Sequence, residues 1–348
     1  MLNKKSRLVD IGKIEIKKEK FLFDENENNY VSIKIKATGI CGSDLHYFKE
    51  GGLGSHKIKF PLTMGHEPSG EIIHSNSKLF QKGERVAIEP NLPCIHFKNS
   101  LDCDPCNSGL HNLCPSSKFL GSISSEGAFQ EYLKVHISQL IKIDDRTSFE
   151  EATLLEPLSV ALHAFNKIKF QMGMKICIIG SGPIGLCLGL VAKLMGSSEI
   201  FFVDKLDYRL KLANEITGCN FVNENENEET LKKYKNYFDV VFDAAGKPQT
   251  FLNSLSLTKL GGIVNLVGIP TYDYLSYNPH VARLKELTIL NCRRSNQFLK
   301  IAYDIFKKNN LPLNKIITHK YKLDDIQKAF ETNINYEDDV IKSVICND

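Results

Sequence analysis

Six residues, GSGPIG at positions 180–185, constrain this chain more than any others. They follow an apolar run, KICII, and precede a helical run, LCLGLVAKLMG. Gly180 makes the tight turn out of a strand. Gly182 leaves the backbone open to a pyrophosphate, and Gly185 lets the helix pack closely on the strand. The helix that starts at Pro183 offers free N–H groups, from Ile184 onward, and a positive partial charge to phosphate. Asp204 closes the next apolar run, EIFFVD, 22 residues beyond Gly182. From there a carboxylate takes adenosine ribose hydroxyls. Its charge opposes a 2′-phosphate, so NAD is expected over NADP, against the pull of Lys205 and Arg209. The competing reading is a glycine-rich turn in a fold without cofactor. Strand, helix and acid in register weigh against it.

The same alternation continues on both sides of the turn. KICIIG, EIFFVD, NFV, FDVVFDAAG, GGIVNLVGI and ELTILNC are apolar strands separated by helical stretches. That pattern predicts a six-stranded parallel sheet covered on both faces, a doubly wound Rossmann unit over residues 153–292. The polar run from Asn223 to Glu229 reads as a solvated loop within it. TLLEPLSVALHAFN reads as one helix with Pro157 near its start. The first ~150 residues differ. In YVSIKIKATGIC, Val31, Ile33, Ile35 and Ala37 alternate with Ser32, Lys34 and Lys36, a half-buried strand. SGEIIHS, GERVAIEP and FQEYLKV are further short strands, which predicts an antiparallel, barrel-like domain. The last ~55 residues offer the helices FLKIAYDIFKKN and LDDIQKAFETN and the strand KSVICND. With the parallel sheet complete, residues 293–348 are expected to rejoin residues 1–152. A chain of 348 residues is too long for one ordinary core.

Bulk properties exclude several function classes. With 44 basic and 41 acidic residues, a net charge of +3 gives no argument for nucleic acid or an anionic membrane as partner. No apolar run approaches the ~20 residues that a bilayer needs. The charged N-terminus lacks the apolar stretch of a signal peptide, so a cytoplasmic location is expected. Four of the ten cysteines cluster between Cys94 and Cys114. In a reducing compartment that points to metal before disulfide.

Cys41 in GICGSDLHY, His66 and Glu67 in MGHEPSG, and Glu156 in LLEPLSVALH combine a thiolate, an imidazole and carboxylates. Such a set can hold a catalytic zinc with one position open. Asp44 is a natural partner for the far nitrogen of His66. Singly, each has a bland alternative: a core cysteine, a surface His–Glu pair, and a glutamate that complements a helix dipole.

GICGSDLHYF, GHEPSGEI, EPLSVALHA and GSGPIG, in this order and at these separations, resemble the zinc-containing medium-chain dehydrogenase/reductase family. The likeness runs through nearly the whole chain. Within the family, SDLHYFKEGGLG and EPLSVALHA look like the polyol branch of sorbitol (L-iditol) and L-idonate 5-dehydrogenases. Glu156 stands where classical alcohol dehydrogenases carry a second cysteine.

The resemblance implies a GroES-like antiparallel β-barrel catalytic domain beside the Rossmann domain. It also implies reversible, zinc- and NAD-dependent oxidation of a secondary alcohol of a polyol or sugar acid. By it Cys41, His66 and Glu67 hold the catalytic zinc, directly or through water, and Glu156 meets the zinc-bound water or the substrate. Ser43 and His46 resemble a proton relay. Tyr47 and Arg294 resemble substrate contacts, although Ser295 replaces the tyrosine usual beside that arginine. Arg209, Val267, Gly268 and Ile269 fall to the cofactor.

The family's structural zinc loop reads C-x₂-C-x₂-C-x₇-C. Here Cys103, Cys106 and Cys114 keep C-x₂-C-x₇-C, while IHFKNSLD separates them from Cys94. Four thiolates would hold a structural zinc, with His96 or His111 as substitutes for Cys94. A homo-oligomer, tetramer or dimer, is expected. The rival readings are an L-threonine 3-dehydrogenase-like enzyme, whose helix reads PLGNAVH against PLSVALH here, an aldose dehydrogenase, and a catalytically silent nucleotide-binding protein.

Overall fold

The computed structural model describes residues 1–23, 28–97, 102–225 and 228–348. The chain divides into two compact units, Met1–Glu156 with Leu299–Asp348, and Pro157–Phe298.

In the first unit the Tyr30–Gly39 strand is central. One edge pairs antiparallel with Glu67–Ser75, which pairs in turn with Arg85–Ile88. The other edge is shared end to end by Tyr132–His136 and the chain's last strand, Lys342–Cys346, both antiparallel to it. The alternation read from the sequence explains the strand's burial: Val31, Ile33, Ile35 and Ala37 are all buried, and side chains on one face of a strand recur every second residue. The C-terminal segment joins this sheet through Lys342–Cys346. It also brings a strand the sequence reading missed, Ile317–Lys322, which pairs parallel with Lys342–Cys346. A second omission is the N-terminal hairpin, Leu2–Asp10 against Lys13–Lys20, which turns at Gly12 with φ +71°. Leu8 anchors it, donating its N–H to the Leu62 carbonyl at 2.8 Å and entering a core with Ile40, Phe48, Met64, Phe129 and Phe330.

The second unit holds six parallel strands in the order Asn220–Asn223, Glu199–Asp204, Lys175–Ile179, Phe238–Asp243, Thr258–Leu266, Thr288–Asn291. This is the doubly wound order of a dinucleotide fold. Ile176, Ile178, Phe202, Val240 and Phe242 are 0% exposed, because helices cover both faces of a parallel sheet.

Two local expectations change. The helix read over TLLEPLSVALHAFN spans Leu155–Asn166, and a short helix absent from the sequence reading, Phe149–Thr153, capped by Ser148 in a capping box with Glu151, precedes it. The polar run from Asn223 to Glu229 is not one loop. Asn223 ends a strand and Glu228 opens the Glu228–Lys233 helix, with residues 226 and 227 outside the described residues. Among the described residues no helix is long and apolar enough to cross a membrane.

Candidate functional site

Two strand ends in the first unit deliver the metal-type ligands. Cys41 follows the Tyr30–Gly39 strand and caps the Gly42–Glu50 helix. Glu67 opens the Glu67–Ser75 strand, in register with Gly39, and His66 precedes it. Adjacent strand ends thus bring the three together. One ligand atom each from Cys41, His66 and Glu67 lie within 4.8 Å of one another, a donor set of soft sulfur, imidazole and carboxylate that fits zinc.

Asp44, 0% exposed, braces the set. It accepts the Cys41 N–H at 3.0 Å, and its other oxygen stands 3.6 Å from His66 Nδ1. A carboxylate there favours the tautomer protonated at Nδ1 and leaves Nε2 as the donor to a metal. Burial works against a charged imidazole at His66, but Asp44 and Cys41 outweigh it and raise the group well above its ordinary range. The pocket is therefore one that draws positive charge.

Three further buried charged residues are linked to the trio, Lys342 directly and the others in turn. Glu156, in the first turn of the Leu155–Asn166 helix, is 6% exposed and stands outside the 4.8 Å set. Its charge is felt by Lys342 and by Glu89. Lys342, 1% exposed, forms a buried ion pair with Glu67 and donates to the Ile40 carbonyl at 2.9 Å. Glu89 is 4% exposed. Its Oε2 has no hydrogen-bond partner among the described residues, and burial together with Glu156 raises its carboxyl to about 8. Neither Lys342 nor Glu89 was singled out from the sequence. An acid ending GERVAIE and a lysine opening KSVIC look like surface residues until the pairing of the strands is known.

The other expected residues lie where their helices put them. Ser43 is buried in the first turn of the Gly42–Glu50 helix. His46 is partly exposed, with Nδ1 3.3 Å from Glu50 Oε1. Tyr47 is partly buried against the Leu8–Phe330 core. Arg294 belongs to the second unit, with φ +56° just after the Thr288–Asn291 strand, and Ser295 is buried with its Oγ accepting the Phe298 N–H at 3.1 Å.

Cys94, Cys103, Cys106 and Cys114 converge elsewhere in the first unit. All four are buried, and their sulfurs lie within 4.8 Å of one another. Cys94 and Cys106 are 3.8 Å apart, as are Cys103 and Cys114, and none forms a disulfide. The Cys94 N–H points at Cys114 Sγ at 3.4 Å. Burial pushes the Cys106 thiol up to about 12. Four buried thiols at this spacing fit a tetrahedral cation that would hold them as thiolates. The geometry includes Cys94, and neither His96 nor His111 belongs to the group. Of the inserted IHFKNSLD, residues 98–101 lie outside the described residues.

In the second unit the glycine turn has the geometry its spacing predicts. Gly180 has φ +98°, a conformation that excludes most side chains. A Cβ on Gly185 would strike the Gly180 carbonyl, whereas one on Gly182 meets nothing nearer than Arg209 Nη1 at 3.6 Å. Gly182 caps the Pro183–Leu194 helix, and because Pro183 has no N–H, the first free helix N–H groups that face an open approach are those of Ile184 and Gly185. Asp204 is held firmly. Ser181 donates its N–H and hydroxyl to Oδ2 at 2.6 and 2.8 Å, and the N–H groups of Lys205 and Leu206 reach Oδ1 at 2.7 and 3.0 Å. Ser181 was the missed partner here. Val267 and Gly268 donate to the Asp243 carbonyl at 2.9 and 2.8 Å, and Ile269 beyond them is 40% exposed.

Comparison with known proteins matches residues 27–145 to the alcohol dehydrogenase GroES-like domain and residues 183–308 to the zinc-binding dehydrogenase family. The chain is 32% identical to sorbitol dehydrogenase of Bacillus subtilis, covering 95% of this chain and 94% of that protein. It is 33% identical to L-idonate 5-dehydrogenase of Vitis vinifera, over 87% and 84% of the two. Among solved structures, L-idonate 5-dehydrogenase of Escherichia coli superposes with a TM-score of 0.91 at 26% identity, covering 100% of this chain and 99% of that one.

Proposed function

The chain belongs to the zinc-containing medium-chain dehydrogenase/reductase family, and on that premise we propose that it reversibly oxidises a secondary alcohol of a polyol or sugar acid to the ketone, with NAD as the hydride acceptor. The observation that carries this reading is the donor set. Cys41, His66 and Glu67 stand within metal-binding distance of one another, with the carboxylate of Glu156 near them and no second cysteine in the group.

When bound, zinc supplies Lewis acidity at the substrate oxygen and NAD takes up the hydride. The protein's own residues do the rest. Cys41, His66 and Glu67 hold the metal, and Asp44 keeps His66 turned toward it. Glu156 orients the substrate hydroxyl. Ser43 takes its proton onward to His46, which is partly exposed beside Glu50 and can release it to water. Tyr47 and Arg294 bind further substrate hydroxyls. Gly180, Gly182, Pro183, Ile184 and Gly185 seat the pyrophosphate, while Asp204, Arg209, Val267, Gly268 and Ile269 hold the remainder of the cofactor. Cys94, Cys103, Cys106 and Cys114 take a second, structural zinc.

The expected assembly is a homo-oligomer, dimer or tetramer. Supporting it, Thr288–Asn291 is the edge of its sheet. Nearby, Leu260 and Leu284 are 65% and 68% exposed beside the Gly261 N–H to Lys285 carbonyl bond. Light scattering on the purified protein tests it, and a monomer at working concentration would refute it.

The test of function is turnover on sorbitol, xylitol, ribitol, idonate, threonine and ethanol, with wild type and Glu156→Ala. A site built for several hydroxyls discriminates strongly against analogues that lack them. Polyols are expected to lead, and Glu156→Ala to lower kcat/KM by ~10²-fold or more with the melting temperature and NAD affinity retained. Glu156→Gln should recover little. Threonine or ethanol outperforming every polyol overturns the reading.

A further inference from the structure

Glu67 is a ligand with two oxygens, and one of them is already engaged. Lys342 reaches it from a strand 275 residues away in sequence and pairs with Oε2. The crossing is possible because Gly39 lies between them. Gly39 pairs with Glu67 on one side and with Val344 on the other, so the lysine, two residues before Val344 on the same face, must pass over Gly39. A Cβ at Gly39 would collide with Glu67 Oε2 and come to 2.9 Å from Lys342 Cε. Lys342 and Glu67 are each 1% exposed in their side chains, and the ammonium is fixed a second time by the Ile40 carbonyl. Exposed ion pairs are loose; this one is enclosed and hydrogen-bonded on two sides.

Resting on the metal reading of Cys41, His66 and Glu67, we infer that Lys342 is a positioning residue. By holding Oε2, it restricts Glu67 to offering a single oxygen to the metal. A carboxylate released from this hold can present both oxygens, and so fill the place that substrate needs. The lysine also sets the charge of the pocket. It balances one of the three acidic groups, Cys41, Glu67 and Glu156, whose charges it feels, and leaves the remaining two to match a dication.

The test is cobalt(II) exchanged selectively into the Cys41 site, with zinc kept in the four-cysteine site. Visible absorption then reports coordination number, strong for four ligands and weak for more. Lys342→Met is expected to weaken the visible bands and to slow metal release to a chelator by about tenfold, the scale on which a ligand's neighbours tune affinity. The double variant Glu67→Gln with Lys342→Met removes both charges together. It should fold even where the single variant does not, because an isolated buried charge is the costly state. Its amide offers one oxygen, so it should retain the strong spectrum. Unchanged bands and release in Lys342→Met, or weak bands in the double variant, overturn the role of Lys342 alone. Failure of wild type to take up cobalt at Cys41 overturns the metal reading beneath it.

Discussion

Glu89 makes the sharpest prediction about pH. It follows the Arg85–Ile88 strand, where its backbone is pinned by Gln139: the Glu89 N–H donates to the Gln139 carbonyl at 2.7 Å, and Gln139 Nε2 donates to the Glu89 carbonyl at 2.9 Å. The side chain starts from this fixed backbone and is 4% exposed. Burial first, and then Glu156, raise its carboxyl to about 8 against an ordinary value near 4.5. Between those limits the unfolded chain has lost the proton and the folded protein keeps it. More protons are then bound in the folded state, so stability falls as pH rises, by ~1.4 kcal/mol per pH unit. The contribution is fully present below the ordinary value and gone above about 8. Glu89→Gln keeps the shape and cannot ionise. Between pH 5.5 and 7.5 wild type should therefore lose roughly 2.7 kcal/mol relative to the variant. For a unit of about two hundred residues that is a change of roughly 5–10 °C in the gap between their melting temperatures. Calorimetry at three pH values measures it, and isotope-edited infrared shows the protonated carbonyl band directly. A gap that stays constant across this range would mean that Glu89 is ionised in the fold, and the reasoning fails.

Elemental analysis of protein purified without chelator should give about two zinc ions per chain. Cys106→Ser should remove one of them and lower the melting temperature of the first unit, while two ions retained would separate the cysteines from the metal. Cofactor preference should be for NAD in kcat/KM, and Asp204→Ala should narrow the gap to NADP. Because Asp204 also accepts four hydrogen bonds from Ser181, Lys205 and Leu206, the same variant should melt lower, by ~1.5–3 kcal/mol for each charged hydrogen bond not replaced by water. A native preference for NADP would show that Lys205 and Arg209 outweigh the acid.

Periodic features carried the fold from sequence. Six continuous apolar runs became six parallel strands, and the Val31–Ala37 alternation became the central strand of the other unit. What escaped was set by distant partners. The N-terminal hairpin is rich in lysine on both strands, so its charge masks the apolar face carried by Leu8, Ile14 and Ile16. The short Phe149–Thr153 helix also escaped, because its five residues are too few for a helical period and only the Ser148–Glu151 capping box marks its start. At the site, local motifs named Cys41, His66 and Glu67, but Lys342 reaches Glu67 only through strand pairing, and Glu89 is unusual because it is buried with its Oε2 unpartnered among the described residues. Sequence patterns report periodicity and short spacing; they do not report which charge is enclosed by which strand.

The last strand has a consequence for biosynthesis. Lys342–Cys346 occupies an edge of Tyr30–Gly39 that is synthesised some three hundred residues earlier. On the ribosome, Pro157–Phe298 is contiguous and can fold as it emerges, whereas the first unit must wait for residues 342–346. Until then an apolar strand has an open edge, the arrangement most prone to pairing with another chain, and the carboxylate of Glu67 has no lysine. Nascent chains stalled before residue 342 should therefore be sensitive to protease in residues 1–156 and resistant in residues 157–298, and should need a chaperone to stay soluble.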